Sequence, residues 1–412
     1  MNFDDSPPDA LLRSEFATWL AANAPAFELK AHLPRDEEVK ATRAWQAHKA
    51  KAGYAAFTWA KELGGRGGTQ YQWLLFAEEE SKYRLPIDIP HGGIDLVLPT
   101  LMKFGRPDQY QPLAERTRTA DIIWAISFSE PSAGSDVSAA RLKAVRDGED
   151  YVFNGQKTWT SWAKFSDWAI TLARTDPNAS KQKGLSCFVL DMRSPGIEVR
   201  PIRYMEGEAH GFDEVFFADV RVPAVQLLGK EGDGLKIFLS TLSLDRFTTT
   251  SHREISAVNF EPILRLSRAI TDGQTRRIDE RDVRQRLADY YVDIRGVQNL
   301  RARHMTGMAR GEELGPQTAI GKLVLANRLQ EMAAFTMDLL GPAGVAPEAE
   351  YAADLAAVHE AFFMSAGYRI GAGTDEIIRN SIGERVLGLP PDVRTDKDVP
   401  FNQLSETAAK RQ

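Results

Sequence analysis

Residues 121–227 constrain the fold most, because their pattern is β-like while the chain on both sides of them is helical. Short apolar runs in this stretch are separated by polar or Gly/Pro segments, and none of them is long enough for a typical helix. Two hairpin signals, Asp147-Gly148 and Asn154-Gly155, follow one another within it. We therefore expect an antiparallel unit, a small β-barrel or sandwich, between helical domains.

The flanking regions carry apolar residues at helical spacing. Residues 8 to about 120 are predicted to form helices with short breaks, and helices are also predicted at about 282–310, 317–340 and 351–367. Glu78-Glu79-Glu80, in a helix from about residue 70, is interpreted as a solvated face. The fold class is thus multidomain α+β. The predicted domains are a helical domain at 1–120, a β-domain at 121–227, a helical bundle at 228–392 and an extended tail at 393–412.

Charge and cysteine usage exclude several classes of protein. The 51 basic and 57 acidic residues give a net charge of −6 without a basic tract, which argues against a nucleic-acid partner. The single cysteine, Cys187, excludes an internal disulfide and a multi-cysteine metal site, and its apolar surroundings predict a buried, inert thiol. No metal site is predicted. The N-terminus has no signal-peptide pattern, and no uncharged apolar run approaches the roughly 18 residues that cross a bilayer. A soluble cytoplasmic protein without a membrane partner is expected.

A candidate ligand-binding edge follows the apolar run 122–128. Ser129, Ser135, Thr160 and Ser161 offer hydroxyl groups near tight turns, and Trp159 offers an indole. This set suits a flat polar heterocycle, which needs a stacking wall and several hydrogen-bond donors. An ordinary solvent-exposed β-meander explains the same residues, so the pattern alone leaves both interpretations open.

A carboxylate interrupts an apolar helix face after residue 228. Leu235, Phe238 and Leu242 stand at positions i, i+3 and i+7, and the next member of this stripe is Asp245, directly before Arg246. A carboxylate on such a face is paired, shifted in pKa or functional. The residues alone favour a structural ion pair.

Two long motifs, in the order and at the distance expected for one family, extend the interpretation. F-S-E-P-S-A-G-S-D at 128–136, followed by N-G-Q-K-T-W-T-S at 154–161, resembles the flavin-binding β-domain signature of the acyl-CoA dehydrogenase family. G-T-D-E-I-I-R-N-S-I-G-E-R-V-L-G-L-P at 373–390 is similar to a C-terminal motif of the same family. W-A-K-E-L-G-G-R-G at 59–67 resembles part of the family's N-terminal helical domain, so the resemblance extends over most of the chain.

The resemblance implies an N-terminal helical domain, a central β-domain and a C-terminal four-helix domain, with FAD between the last two. It places Phe128 and Ser129 along the isoalloxazine, and Ser135 beside a flavin or CoA phosphate. It also implies that Trp159 packs near the ring and that the Ser161 hydroxyl lies close to flavin N5.

The nucleotide half of FAD is implied to be bound by other residues. Thr374 and Glu376 fall where the family contacts the AMP half. Asp338, Gly341 and Pro342 fall where a neighbouring subunit contacts adenine and pyrophosphate, although the family usually has Gln at the first of these positions and Gly at the third. A shared site, and hence a homodimer or homotetramer, is implied.

The family desaturates acyl-CoA thioesters, with a carboxylate removing the α-proton and hydride passing to the flavin. One family position for this base falls on Ala372, which cannot accept a proton, and a second falls on Asp245, where most relatives carry Glu. The resemblance therefore implies that Asp245 is the base, and that Ser135, Arg246 and Ala372 contact the acyl-CoA substrate. Electrons are expected to pass to an electron-transferring flavoprotein.

Two other functions remain open on the same fold. One is a catalytically silent subunit that pairs with a homologue in a heterotetramer, which the alanine at one base position favours. The other is a flavoenzyme with different chemistry, such as a desulfinase or a nitroalkane-type oxidase. The acyl group is not identified by the sequence, and Ala372 is compatible with a branched or bulky acyl chain, including a sterol side chain or ring fragment.

Overall fold

A computed structural model describes residues 5–29, 33–205, 211–244, 260–312, 315–345, 352–391, 393, 396 and 398–404. Its described residues divide into two compact units. The larger unit, here called the mixed unit, takes its residues from 17–73, 82–245 and 392–412, and the smaller, here called the helical unit, takes its residues from 1–16, 74–81 and 246–391.

Helices dominate both ends of the chain, as the apolar spacing predicts. The first helix begins at Pro7 and ends at Asn23, before the Pro25 that cannot continue it. The helix Asp88–His91 passes without a break into a π-helical segment, Gly92–Val97, and then into the helix Leu98–Phe104. The helices are α1 (Pro7–Asn23), α2 (Arg35–Lys51), α3 (Gln70–Glu80), α4 (Asp88–His91), α5 (Leu98–Phe104), α6 (Pro107–Arg118), α7 (234–244), α8 (Phe260–Ala269), α9 (Arg281–Ala309), α10 (Ala319–Leu340), α11 (Pro342–Val345), α12 (Ala352–Ile370) and α13 (Asp375–Arg385).

The mixed unit contains an eight-stranded sheet. Its strands are β1 (Trp124–Ser127), β2 (Lys143–Asp147), β3 (Asp150–Ser161), β4 (Trp168–Arg174), β5 (Leu185–Asp191), β6 (Ile197–Pro201), β7 (Phe212–Pro223) and β8 (Leu227–Leu228). The sheet order is β6-β7-β3-β2-β4-β5-β8, and β1 lies parallel to β4. Most neighbours are antiparallel, as expected from the hairpin signals.

Both faces of the central strands are buried, because alternate residues enter two different apolar clusters. Ile170 and Cys187 join helices α5 and α6 on one face, whereas Phe188 packs with Phe153 and Phe217 on the other. Cys187 is fully buried, and this burial raises the pKa of its thiol to about 12. The prediction of a buried thiol is confirmed.

Only the first of the two hairpin signals reverses the chain. Asp147 and Asp150 close a tight hairpin between β2 and β3 around Gly148. The second turn, predicted at Asn154-Gly155, is wrong, since β3 continues through it and a register shift against β7 marks a β-bulge there. The Asn154 amide donates to the Asp219 carboxylate at 2.9 Å, which stabilises the bulge.

The helical unit forms around a core to which α8, α9, α10 and α12 all contribute. Ile263, Leu287, Leu329 and Val358 represent these four helices in it. Helix α10 ends at Leu340, directly before Gly341-Pro342, and this end agrees with the helix predicted at 317–340. The polar segment between α8 and α9 contains a short hairpin of two strands, β9 (Thr271–Asp272) and β10 (Thr275–Arg276).

The interpretation of Glu78-Glu79-Glu80 as a solvated face is wrong. Glu79 and Glu80 are each 4% exposed. The Arg13 guanidinium donates to Glu78 at 2.8 Å and to Glu79 at 3.2 Å, and Arg301 lies 3.1 Å from Glu78. These carboxylates can be buried in the helical unit because the guanidinium groups of Arg13 on α1 and Arg301 on α9 offset their negative charge. In the described parts of the chain, no helix combines the length and the apolar character needed to cross a membrane.

Candidate active site

Phe128 and Ser129 leave the carboxyl end of β1 beside β3. The Phe128 side chain is buried and packs edge-to-face on Phe238 of α7, with 5.3 Å between ring centroids. The Ser129 carbonyl accepts a hydrogen bond from the Thr158 backbone N–H at 3.0 Å. The structure therefore brings Ser129 next to the strand end that carries Trp159.

A buried ion pair fixes this loop from inside. The fully buried Lys157 ammonium donates to the Phe128 carbonyl at 2.9 Å and to the Glu130 carboxylate at 2.8 Å. Glu130 also accepts from the backbone N–H groups of Arg141, at 2.6 Å, and Leu142, at 2.9 Å. Burial lowers the pKa of Lys157, and the adjacent carboxylate opposes that shift. The pair holds the backbone on both sides of Ser129.

Trp159 and Ser161 lie on the open side of the strand end. Trp159 has a left-handed φ of +56°, and its side chain is 57% exposed. Thr160, between them, is fully buried, and its hydroxyl lies 3.4 Å from that of Ser127. Ser161 is exposed. This alternation leaves an indole and a hydroxyl side by side for a ligand.

Ser135 is exposed and occupies a loop at residues 131–135, here called the Ser135 loop. A side chain added at Gly134 would meet no heavy atom within 4 Å, so the loop borders open space. Beyond it, Arg174 donates to the carbonyls of Ser138 at 2.7 Å and Ala140 at 2.9 Å. Burial lowers the pKa of Arg174 to about 10. The loop is thus exposed at Gly134 and Ser135 and buried at Ala133, and Arg174 holds the backbone that follows it.

The helical unit contains a second set of predicted site residues in the turn before α13. Ala372 has a left-handed φ of +53° and is followed by Gly373, at +103°. Thr374 is the N-cap of α13, and its hydroxyl accepts a hydrogen bond from the Ile377 N–H at 3.3 Å. The pKa of Glu376 is lowered because its carboxylate accepts a hydrogen bond from its own N–H and then one from Thr374.

A polar network holds this turn against α10. Lys322 donates to the Gly373 carbonyl at 2.7 Å. Asp375, which is 2% exposed, accepts from Arg369 Nε at 2.8 Å and from the Asn327 amide at 3.1 Å. The backbone around Ala372 is therefore positioned by buried side chains rather than by the alanine itself.

Asp338 and Gly341 are not brought to this turn. Asp338 is exposed near the end of α10, and Gly341 follows at a left-handed φ of +53°. Asp338 lies eleven positions after Asn327, which corresponds to about 16 Å along the helix. Within the helical unit, these two residues and the Thr374 turn would contact different parts of a ligand, or different ligands.

Asp245 and Arg246, the predicted base and its neighbour, lie outside the described residues. The helix before them is described, and its buried stripe is shifted by one position from the predicted one. Ile237 and Thr241 are buried, whereas Leu235, Phe238 and Leu242 are half-buried. The Thr241 hydroxyl lies 3.0 Å from that of Thr100 on α5.

Sequence reasoning missed the side chains that hold the site residues in place. Lys157 had a usable signal, because strand alternation from Tyr151 and Phe153 assigns it to the buried face, where a charge requires a partner. Glu130 and Arg174 had no comparable signal, since their partners are mostly backbone groups distant in sequence.

Family profiles and a related sequence both match this chain over most of its length. The acyl-CoA dehydrogenase N-terminal, middle and C-terminal domain profiles match residues 9–118, 125–220 and 232–387. The acyl-CoA dehydrogenase IpdE1 of Mycobacterium tuberculosis is 33% identical over 385 residues, which are 93% of this chain and 95% of the relative.

Solved structures show the same fold. The ChsE4-ChsE5 complex from Mycobacterium tuberculosis gives a TM-score of 0.77 at 27% identity, covering 95% of this chain and 100% of that one. A variant of the Tcur3481-Tcur3483 steroid ACAD gives a TM-score of 0.75 at 25% identity, covering 93% of this chain and 99% of that one. The predicted order of helical, β and helical domains is confirmed. The chain belongs to the acyl-CoA dehydrogenase family, whose members are FAD-dependent oxidoreductases.

Proposed function

We propose that the chain is an active acyl-CoA dehydrogenase that desaturates a CoA thioester between the α- and β-carbons, with Asp245 as the base. In the mixed unit, the main support for this proposal is the hydrogen bond between Thr158 and Ser129. It places Ser129 at the strand end that also carries Trp159 and Ser161. Hydroxyl donors beside an exposed indole suit a flat heterocycle with several acceptors.

The residues present fit FAD. In the mixed unit, Phe128, Ser129, Trp159 and Ser161 would contact the flavin ring, and the open space at Gly134 would admit a phosphate beside Ser135. In the helical unit, the N-cap Thr374 and Glu376 would contact the AMP half, with Asp338 and Gly341 contributing to a neighbouring subunit's cofactor. When bound, FAD accepts the hydride that leaves the β-carbon.

The chain's own contribution to catalysis would be proton removal at the α-carbon. Ala372 has no group that accepts a proton, so the carboxylate of Asp245 is assigned this step, with Arg246 beside it in the sequence. Ser135, Arg246 and Ala372 would contact the acyl-CoA substrate.

We propose a bulky acyl group, such as a steroid side chain or ring fragment. The absence of a long side chain at residue 372 is compatible with it, and one neighbour of the same family is named a steroid ACAD. Anaerobic titration with a panel of acyl-CoA thioesters tests this, since the visible flavin band bleaches with a true substrate. A strong preference for butyryl-CoA or octanoyl-CoA would contradict it.

The base assignment has a direct test in turnover. Asp245→Asn should retain FAD and lose turnover by roughly 10²- to 10⁴-fold, the usual contribution of a general base. Asp245→Glu is the matched control, because it keeps a carboxylate and should retain measurable turnover. Undiminished turnover in Asp245→Asn, with normal flavin content, would remove Asp245 from the mechanism.

A second candidate function is a silent subunit that completes the flavin site of a homologue. It is favoured by Ala372 and by the neighbour that was solved as a complex of two differently named chains, ChsE4 and ChsE5. Protein that is colourless alone but gains flavin with a homologue would establish it. Yellow protein that reduces an electron-transferring flavoprotein in the presence of substrate supports the active enzyme, and oxygen consumption without an acceptor points to oxidase chemistry.

A further inference from the structure

A C-terminal segment, comprising residues 396 and 398–403, packs on the mixed unit beside the Ser135 loop. Pro400 forms a β-bridge with Ser180. The backbone N–H of Phe401 donates to the Ala179 carbonyl at 2.9 Å, and that of Asn402 donates to the Pro177 carbonyl at 3.0 Å. These main-chain bonds fix the register of the described part of the segment on the β4–β5 connection.

The Phe401 ring covers Arg174, the arginine that holds the backbone following the Ser135 loop. The Arg174 guanidinium lies 3.5 Å from the ring centroid, and that of Arg141 lies 5.7 Å from it. Arg174 is 4% exposed and donates to the carbonyls of Ser138 and Ala140. A guanidinium shielded from water by an aromatic ring makes stronger hydrogen bonds than an exposed one.

A second link joins the segment to the loop through a lysine. The Lys181 ammonium donates to the Asp136 carboxylate at 2.7 Å and also to the carboxylate of Asp396. Asp136 directly follows Ser135. Two independent contacts, one aromatic and one ionic, therefore connect the C-terminal segment to residues 136–140.

We propose that the C-terminal segment is a positioning element of the ligand site, holding the Ser135 loop in the conformation that binds a phosphate-bearing ligand. The loop is fixed at one end by Glu130 with Lys157 and at the other by Arg174 and Lys181. Only the second of these anchors depends on residues after the helical bundle. The functional part of the proposal rests on the proposed role of Ser135 in binding FAD or acyl-CoA.

Phe401→Ala in the full-length chain tests the aromatic link, and Phe401→Tyr is the conservative variant that keeps the ring. Phe216→Ala is the matched control, because Phe216 makes the same kind of contact with Arg200, at 4.5 Å, elsewhere on the sheet. Backbone hydrogen exchange over residues 134–142 is measured first, since it requires neither flavin nor turnover.

Exchange in that segment should rise in Phe401→Ala and stay at the parent level in Phe401→Tyr and Phe216→Ala. The KM for the thioester that bleaches the flavin, or the Kd for free CoA if none does, should rise about five- to tenfold, within the range of one desolvated cation–π contact. The kcat should change less than KM, because the proposed base is not involved.

Lys181→Gln should raise exchange in the same segment by removing the ionic link. Unchanged exchange in both Phe401→Ala and Lys181→Gln would overturn the proposal. Raised exchange with unchanged KM and Kd would leave the anchor in place but overturn its role at the ligand site. Failure of the proposed function would instead appear in the parent protein, as absence of flavin and of CoA binding.

Discussion

A single buried lysine illustrates how strongly the site depends on residues that do not face the ligand. Lys157 neutralises Glu130 and holds the Phe128 carbonyl, all in surroundings from which water is excluded. Removing one member of such a pair leaves the other as an uncompensated buried charge, which costs more than the pair contributes when intact.

Lys157→Met should therefore lower the free energy of unfolding by roughly 3–5 kcal/mol. The double variant Glu130→Gln/Lys157→Met should lose less than Lys157→Met alone, because neither member of the pair is then left as an uncompensated charge. Urea unfolding followed by tryptophan fluorescence measures both losses. Lys143→Met on the exposed side of β2 is the control and should stay within about 0.5 kcal/mol of the parent. Equal losses in the single and double variants would contradict this account.

At the scale of elements, β3 departs from regular pairing with β7 at two places, at Phe153/Gly155 and at Lys157/Thr160, and the first of these is the β-bulge around Gly155. Gly155 has a φ of +146°, and a side chain there would approach Leu142 to 3.0 Å at its Cδ1 and 3.2 Å at its Cα. Gly148, in the hairpin, also has a positive φ, but nothing lies within 4 Å of its missing side chain. An alanine at Gly148 would therefore meet backbone strain alone, whereas an alanine at Gly155 would meet both backbone strain and a steric clash.

Gly148→Ala should cost about 1 kcal/mol from strain alone, and Gly155→Ala roughly 2–4 kcal/mol from strain and overpacking together. Thermal unfolding followed by tryptophan fluorescence should give the larger fall in midpoint for Gly155→Ala. A larger fall for Gly148→Ala would show that the bulge relaxes more easily than its contacts indicate.

The bulge also shows where prediction from sequence stops. Asp147-Gly148 and Asn154-Gly155 are equivalent hairpin signals, and only pairing with β7, distant in sequence, makes the second a bulge. Helices and their ends could be predicted because apolar spacing and caps are local, as at α1 and Thr374. The burial of Glu79 could not be predicted, because Arg13, which offsets the charge of its carboxylate, is 66 residues away in the sequence.

At the scale of the whole molecule, the residues that report unfolding by fluorescence or by thiol labelling are unevenly distributed between the two units. All eight tryptophans and the single cysteine belong to the mixed unit, and the helical unit contains none of them. Chains with more than one compact unit often depart from two-state unfolding. Tryptophan fluorescence and Cys187 reactivity therefore report one unit, whereas far-ultraviolet circular dichroism reports both.

At pH 8, a thiol with a pKa of about 12 is ionised in about one molecule in ten thousand, so native Cys187 should resist alkylation. Its labelling in urea should follow the tryptophan transition, and the circular-dichroism transition should be broader. Rapid labelling of the native protein would show that the sheet opens locally around β5. Coincidence of all three transitions would show that the two units unfold together.

The π-helical segment Gly92–Val97 sets how far α4 is rotated about the helix axis relative to α5. Its i→i+5 bonds accommodate one residue more than a regular helix would over the same length. Deleting one residue there would remove the π turn and would rotate Asp88–His91 by about 100° around its axis relative to α5. A single-residue change in chain length, without any change of side chain, would thus decide which side of α4 faces its neighbours.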